Sequence, residues 1–312
     1  MMRAIRQSRL GGPEVLEEVE VSRPEPIGNE ILVAVHAAGL NPTDWKHRAG
    51  AMRLGEPPFV LGWDVSGVVE EVGAGVTVLQ PGDEVFGMLP YPKWHGAHAE
   101  FAVSPARALV RKPAGLSHVE AAALPLASMT AWQALVDTAV VQPGQRVLVH
   151  AAAGGVGHLA VQIAKARGAY VIGTASADKH EFVRGLGADE VIDYRSQDFV
   201  SAAPDMDMVL MPFIGRDRLR SLENLRPGGI LVSLLPIELD EVHARAAQLG
   251  VRATGMQVEY DHAGMSAVAE LAADGRLRPH VEKVYPLSEA ARAHAHGESG
   301  HVTGKLVLSV RA

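Results

Sequence analysis

Residues 147–168 read VLVHAAAGGVGHLAVQIAKARG: an apolar run, a cluster of small residues, then an amphipathic helical pattern. A small-residue turn that follows a strand and opens a helix is the setting a dinucleotide fingerprint requires. Ala153, Gly154, Gly155, Val156 and Gly157 form the candidate phosphate turn. Gly154 lets the backbone approach a pyrophosphate, and Gly157 lets the helix pack close to its strand. The amides at 155–157 then open a helix N-terminus toward the phosphates. Ala152 stands where the first glycine of such a turn usually sits. Val156, Leu159, Ala160, Ile163 and Ala164 recur at helical spacing, so one face of this helix is buried. A tight strand-to-helix turn without a ligand is the plain alternative, and the series of strands and helices that follows favours a nucleotide.

The next strand bears on which nucleotide. Sites for the non-phosphorylated cofactor carry an acid about 20 residues beyond the glycines, bonded to the ribose 2′-hydroxyl. Here the strand ends GTASADK, with no acid at Thr174, Ala175 or Ser176. Ser176 offers a hydroxyl and Lys179 a cation, the donors a 2′-phosphate dianion wants. Lys179 on its own also reads as a solvated lysine at a helix start.

The elements that position these residues follow from the rhythm of the chain. ILVAVHAAGL (31–40), VSGVVEEVGAGV (65–76) and QPGDEVFGML (80–89) are strand-like runs punctuated by Gly and Pro, so the first third reads as an irregular β-rich domain. Residues 117–139 turn helical, interrupted at Pro125. From 146 onward RVLVHA, YVIGTA, DEVIDY, DMVLMP, GILVSLL and VRATGMQV alternate with helical segments. Six such strands predict a doubly wound α/β domain with a parallel sheet. The late strand GKLVLSV is expected to return to the first domain.

Composition bounds the partners. The 312 residues suffice for about two domains. The formal charge of −7 with no basic block argues against nucleic acid. No apolar stretch reaches the roughly 18 residues of a membrane span. The opening MMRAIRQSRL lacks the apolar core of a secretory signal. The absence of cysteine excludes disulfides and thiolate metal sites and fits a cytoplasmic location.

Taken together, GGPEVL (11–16), AAGLNPTDWKHRAG (37–50), LGWDVSGVVEEVG (61–73), PGDEVFG (81–87), ALPLASMTAWQAL (123–135), HAAAGGVG (150–157), LGADEVIDY (186–194) and GKLVLSV (304–310) resemble the medium-chain dehydrogenase/reductase superfamily, in its zinc-independent quinone oxidoreductase and enone reductase branch. The resemblance covers nearly the whole chain. It implies a GroES-like catalytic domain (1–122 and 261–312) built around a Rossmann domain (123–260), with NADPH and substrate in the cleft between them. By position it assigns Ser176, Lys179 and Tyr194 to the adenosine 2′-phosphate and Thr130 to the nicotinamide ribose. Thr130 also reads as an ordinary helix hydroxyl satisfied by a carbonyl. After the fourth Rossmann strand the chain departs from the family: DMVLMPFIG places Met211 and Pro212 where a polar pair is usual. That leaves open the path of the nicotinamide-side loop at Pro212, Phe213 and Ile214. The resemblance also implies a homodimer through the VRATGMQV edge.

The family's catalytic-metal positions fall on Asn41, Trp63 and Asp64, and a four-cysteine lobe is absent. Asn and Trp are poor zinc ligands, so no metal is expected. Of the 14 histidines, His95 with His98 and His294 with His296 have ligand-like spacing, which chance readily produces in a chain this rich in histidine. Without a metal, hydride addition to a conjugated carbonyl or quinone needs only donors near the oxygen that gains charge. Those donors cluster in NPTDWK: Asn41, Lys46, and Asp44 to orient Lys46 or to bond the backbone. Asn41-Pro42 is also a common turn opener and Lys46 a common exposed helix residue; the resemblance favours the active-site reading for Asn41. Trp45, Trp63, Met88 and Tyr91 serve as an apolar pocket wall or as core. Segments 50–58, 88–98 and 236–262 would line the pocket and dictate no ligand. The expected activity is NADPH-dependent reduction of a quinone or an α,β-unsaturated carbonyl. A dedicated biosynthetic enoyl reductase and a non-catalytic NADPH-binding protein stand as alternatives.

Overall fold

The computed structural model describes residues 1–52, 55–92 and 96–311. The chain forms two units, Met1–Met129 with Glu259–Ala312, and Thr130–Val258.

In the second unit the strands Arg146–Val149, Tyr170–Ala175, Glu190–Asp193, Met206–Met211, Leu225–Ser233 and Arg252–Gly255 form a parallel sheet. Numbered in that order, they lie side by side as 3-2-1-4-5-6. The apolar runs that betray these strands are buried: Val147, Leu148, Val149, Val171, Ile172 and Val209 are fully enclosed. A strand covered on both faces needs such a continuous run. The order reverses between Arg146–Val149 and Met206–Met211, so the crevice for a ligand opens at the carboxyl ends of these two strands. The 150–157 turn and the segment starting at Pro212 leave from those two ends.

In the first unit a mixed sheet centres on the long strand Glu30–Leu40, which pairs with Asp64–Val72, Phe101–Pro105 and Lys305–Ser309. The late strand GKLVLSV thus lies antiparallel beside residues 37–40, with Leu306 opposite Leu40. A smaller three-stranded sheet joins Met2–Gln7 to Leu16–Val21 and Phe59–Val60. Helix His118–Ala122 starts on a capping box in which Ser117 and Glu120 satisfy each other's backbone amides. Helix Pro125–Trp132 follows and runs on as a π-helical turn, Gln133–Thr138.

The unit boundaries differ from 122 and 260. They fall after Met129 and after Val258; helix His118–Ala122 and the first turn of helix Pro125–Trp132 belong to the first unit. Ala122 and Ala123 pack with Ala37 and Val307, and the Leu126 amide donates to Asp64. Among the described residues no helix is long and apolar enough to cross a membrane.

Candidate functional site

The small-residue turn is held from below by the neighbouring strand. Thr174 accepts a bond from the Ala152 amide at its carbonyl (2.9 Å) and one from the Ala151 amide at its hydroxyl (3.2 Å). Ala151 adopts a φ of 50°, which bends the chain out of the strand and upward. Gly157 then passes so close that a Cβ there would lie 2.1 Å from the Ala151 carbonyl oxygen, so only glycine fits. At Gly154 a Cβ would meet only one atom, at 3.3 Å, so its small size leaves open space above the turn. Helix Gly157–Ala166 starts here with its first residues buried on the sheet. His150 lies behind the turn, its ring nitrogens facing the Thr174 and Ser221 hydroxyls at 3.2 and 3.0 Å. Burial pushes that imidazole down to about 4, so it is neutral. The turn fits a dinucleotide pyrophosphate: it offers backbone amides, no side chain in the way, and a rigid floor.

At the end of the next strand Ser176 is buried and starts the short turn Ala177–Lys179. Its hydroxyl bonds the Asp178 carboxylate, which that bond holds below the usual range. Lys179 and Arg195 both act on that carboxylate electrostatically, so the two cations border the same spot. Tyr194 is 54% exposed, with the Arg195 guanidinium over its ring at 5.7 Å. Ser176, Lys179 and Arg195 thus gather around the Asp178 carboxylate, and Tyr194 lies under the Arg195 guanidinium. Arg195 went unnoticed in the sequence, although it directly follows Tyr194. Phe213 is 48% exposed on the segment after Met206–Met211, which turns at Gly215 into helix Arg216–Arg220. Thr130, the first residue of this unit, is buried.

The first unit brings together residues from four distant parts of the chain. Asn41 precedes helix Pro42–Arg48, with Pro42 at the first helical position, where its missing N–H costs nothing. The Asp44 carboxyl accepts from the Asn41 backbone amide at 2.6 Å, so Asp44 bonds the backbone of the turn. The Asn41 side chain faces inward: Nδ2 donates to Asp64 Oδ2 at 2.8 Å, and Oδ1 accepts from Lys305 Nζ at 2.5 Å. Lys305 Nζ also donates to the Leu40 carbonyl at 2.8 Å and lies 3.4 Å from Asp64 Oδ2. Asp64 Oδ1 accepts from the Leu126 amide at 2.7 Å. Asp64 is 0% exposed and Lys305 3%. Gly39 permits this packing, because a Cβ there would lie 2.2 Å from the Ala122 carbonyl oxygen and 2.9 Å from Asp64 Oδ2. Burial raises the Asp64 carboxyl and lowers the Lys305 ammonium, and the attraction of each for the other opposes both shifts. Burial pushes Asp44 up to about 8, so it is the neutral acid at neutral pH.

The other candidates divide by exposure. Trp63 and Met88 are fully buried and pack beneath the surface; Trp63 meets Tyr91 edge-on at 5.3 Å. Tyr91 is half-buried, and its hydroxyl accepts from Thr43 at 3.2 Å. Trp45 is half-buried against Gly297 and His294. Lys46 is half-buried on helix Pro42–Arg48.

His95 lies outside the described residues, as do 53–54 and 93–94 of the pocket-wall segments. His98 is fully buried and packs edge-on against His294, whose Nδ1 faces the Arg48 guanidinium at 3.2 Å. His296 is engaged by Tyr285 and Glu282. Among the described residues no group of three or more His, Cys, Asp or Glu side chains is placed to hold a metal. The donor set around Asn41 does not fit one either: an ammonium already sits between Asn41 Oδ1 and Asp64, and Trp63 offers no ligand atom.

Comparison with known proteins agrees with these features. Residues 28–114 match the alcohol dehydrogenase GroES-like domain family, and residues 186–308 the zinc-binding dehydrogenase family. The chain is 36% identical to the 2-haloacrylate reductase of a Burkholderia species, covering 97% of each chain. It superposes on the quinone oxidoreductase of Coxiella burnetii with a TM-score of 0.94 and 38% identity, covering 99% of both chains. It matches the Escherichia coli quinone oxidoreductase complexed with NADPH with a TM-score of 0.86 and 30% identity, covering 99% of this chain and 100% of that one.

Proposed function

We propose that this chain, which belongs to the zinc-independent quinone oxidoreductase branch of the medium-chain dehydrogenase/reductase superfamily, is an oxidoreductase that reduces quinones or α,β-unsaturated carbonyls with NADPH. The bound dinucleotide supplies the hydride. The 150–157 turn holds its pyrophosphate, and Ser176, Lys179, Tyr194 and Arg195 take its 2′-phosphate. Two cations, Lys179 and Arg195, at this strand end, with the neighbouring Asp178 carboxylate bonded to the Ser176 hydroxyl, favour the phosphorylated form over the plain ribose.

The observation that carries the reaction class is the state of the Asn41 side chain. A neutral amide, backed by an ammonium and a carboxylate, occupies the position that would hold a metal ligand. An unactivated alcohol needs help to lose its proton, and this cluster offers no Lewis acid for it. A conjugated carbonyl or quinone needs only a donor for the oxygen that gains charge as hydride arrives. Asn41 Nδ2 has a second hydrogen beyond the one given to Asp64, and we assign it that role. Tyr91 and Trp45, both in the first unit, supply aromatic surface to a flat substrate, and Trp63 backs Tyr91 edge-on.

The test is NADPH oxidation against a panel of quinones, enals and saturated alcohols with NADP⁺ in the reverse direction. The expected outcome is turnover of quinones and enals and none of primary alcohols. Alcohol oxidation at the same rate as enal reduction would overturn the reaction class, and tight NADPH binding without turnover of any acceptor would overturn the enzymatic role.

A further inference from the structure

Lys305 belongs to the last strand of the chain and was not among the residues the sequence singled out for chemistry. We propose that Lys305 is a positioning residue for the Asn41 amide: its ammonium, paired with the Asp64 carboxylate, fixes which end of the amide carries the hydrogens and where the remaining one points. The inference rests on the reading of Asn41 as the oxyanion donor.

The two ends of an Asn side chain are nearly equal in size, so packing alone does not choose between them. Here the choice is electrostatic. Asn41 Oδ1 faces the Lys305 ammonium at 2.5 Å and Nδ2 faces Asp64 Oδ2 at 2.8 Å. A flipped amide would set donor against donor and acceptor against acceptor at both contacts. Lys305 is itself fixed, with its three hydrogens directed at the Leu40 carbonyl, Asn41 and Asp64. Asp64 is fixed by the Leu126 amide on its other oxygen. The amide is thus clamped by two charges whose own directions are set by backbone groups on separate elements. Burying such a pair is costly, and well-packed apolar residues commonly give equal or better stability. Lys305 and Asp64 are both almost wholly enclosed, so stability alone does not account for them. A preorganised donor does account for them, since a donor that must reorient when charge develops loses much of its effect.

The test combines NMR of the Asn41 side-chain amide with steady-state kinetics. In the wild type, without variants, the Asn41 amide protons should be a well-dispersed pair that exchanges slowly with solvent. An averaged pair that exchanges like a surface Asn overturns the proposal at once. In Lys305→Met that pair should broaden or lose its protection. The kcat on an enone should fall by about tenfold or more, a part of the 10²–10³ that loss of a whole donor costs. KM for NADPH should stay as it was. The double variant Asp64→Asn/Lys305→Met removes both charges and keeps volume, so it answers for a single variant that does not fold. It too should show low kcat with NADPH binding retained. Wild-type kcat in either variant, where Asn41→Ala is impaired, makes Lys305 purely structural. If Asn41→Ala itself keeps full kcat, the oxyanion reading fails, and the amide spectrum alone then decides whether Lys305 orients it.

Discussion

The glycine turn of the second unit and the polar cluster of the first both present polar atoms from a rigid base, but they are built differently. The turn is a local object. Residues 150–157 and the strand end at 174–179 lie within 30 positions of one another, and backbone amides do most of its work. The cluster is a non-local object. Asn41, Asp64, Leu126 and Lys305 come from separate elements, and charged side chains hold it together out of contact with water. A backbone site tolerates changes in most side chains and fails when a glycine gains one. A charged side-chain site fails when any one member is lost, because its partner is left buried and uncompensated.

The sharpest way to break this contrast is to remove one charge from the cluster. Asp64→Ala leaves the Lys305 ammonium enclosed without its carboxylate, and we expect a loss of about 3–5 kcal/mol in urea denaturation. A change below about 1 kcal/mol would mean the cluster relaxes and wets, and the contrast with the turn would dissolve. Next in size is Asn41→Ala. The kcat on an enone should fall by up to about 10²-fold, and less on a quinone, which is already strongly activated. Lys46→Ala, on the same helix but half-exposed, should change kcat far less; equal effects would move the donor role to Lys46.

The turn side of the comparison is probed through the phosphate. Lys179→Ala should weaken NADPH binding by about ten- to a hundredfold, the loss of one charge-assisted bond of roughly 1.5–3 kcal/mol, and leave NADH binding unchanged. It should also leave the denaturation midpoint of the apoprotein where it was. Equal weakening of both cofactors, measured by fluorescence titration, would take Lys179 off the 2′-phosphate.

The last expected effect, modest at any single pH step, is a pH slope. In the fold the Asp44 carboxyl is raised from 3.8 to about 8. Between these values the unfolded chain has lost the proton and the native protein keeps it. Stability from this group is therefore full below the lower value and is lost as pH rises toward the upper one. Asp44→Asn removes that slope, so the stability of the variant relative to wild type should improve with rising pH, by about 1.4 kcal/mol per pH unit well below pH 8. A constant difference from pH 5 to 8 would show that Asp44 is ionised in the native state. The buried imidazoles of His98 and His150 work in the opposite sense. They are pushed down to about 3 and about 4, so their contribution is whole above the ordinary imidazole range and is lost in acid.

What could be read from the residues follows the same division. The inner strands of the parallel sheet were legible because a strand buried on both faces must be a continuous apolar run; the two edge strands, Glu190–Asp193 and Arg252–Gly255, were legible from their place in the alternation of strands and helices. The tight strand-to-helix turn at 150–157 was legible because its geometry needs small residues at fixed offsets. Asn41 and Asp64 were singled out by position in the family, but Lys305, which joins them, was not. Nothing local to GKLVLSV distinguishes Lys305 from a solvated lysine at a strand start. Its burial comes from pairing with residues near 40 and from the narrow space that Gly39 leaves beside Asp64. The boundary at Met129 was missed for a similar reason: the helix pattern continues through it, and only the packing of Ala122 and the Leu126 bond to Asp64 assign the first turns to the first unit.

The place of the Lys305–Ser309 strand in the chain has a consequence for synthesis. Asp64 and Lys305 are 241 residues apart, and the whole of the second unit is translated between them. At about 5–20 residues per second the ribosome needs roughly 10–50 s to deliver the ammonium after the carboxylate. During that interval the stretch Ala37–Leu40 lacks the strand it will pair with, and an unpaired edge is where nascent chains associate wrongly. The second unit, Thr130–Val258, is complete before that strand emerges and is free to fold during the wait. The first unit lacks this pairing until its last strand arrives.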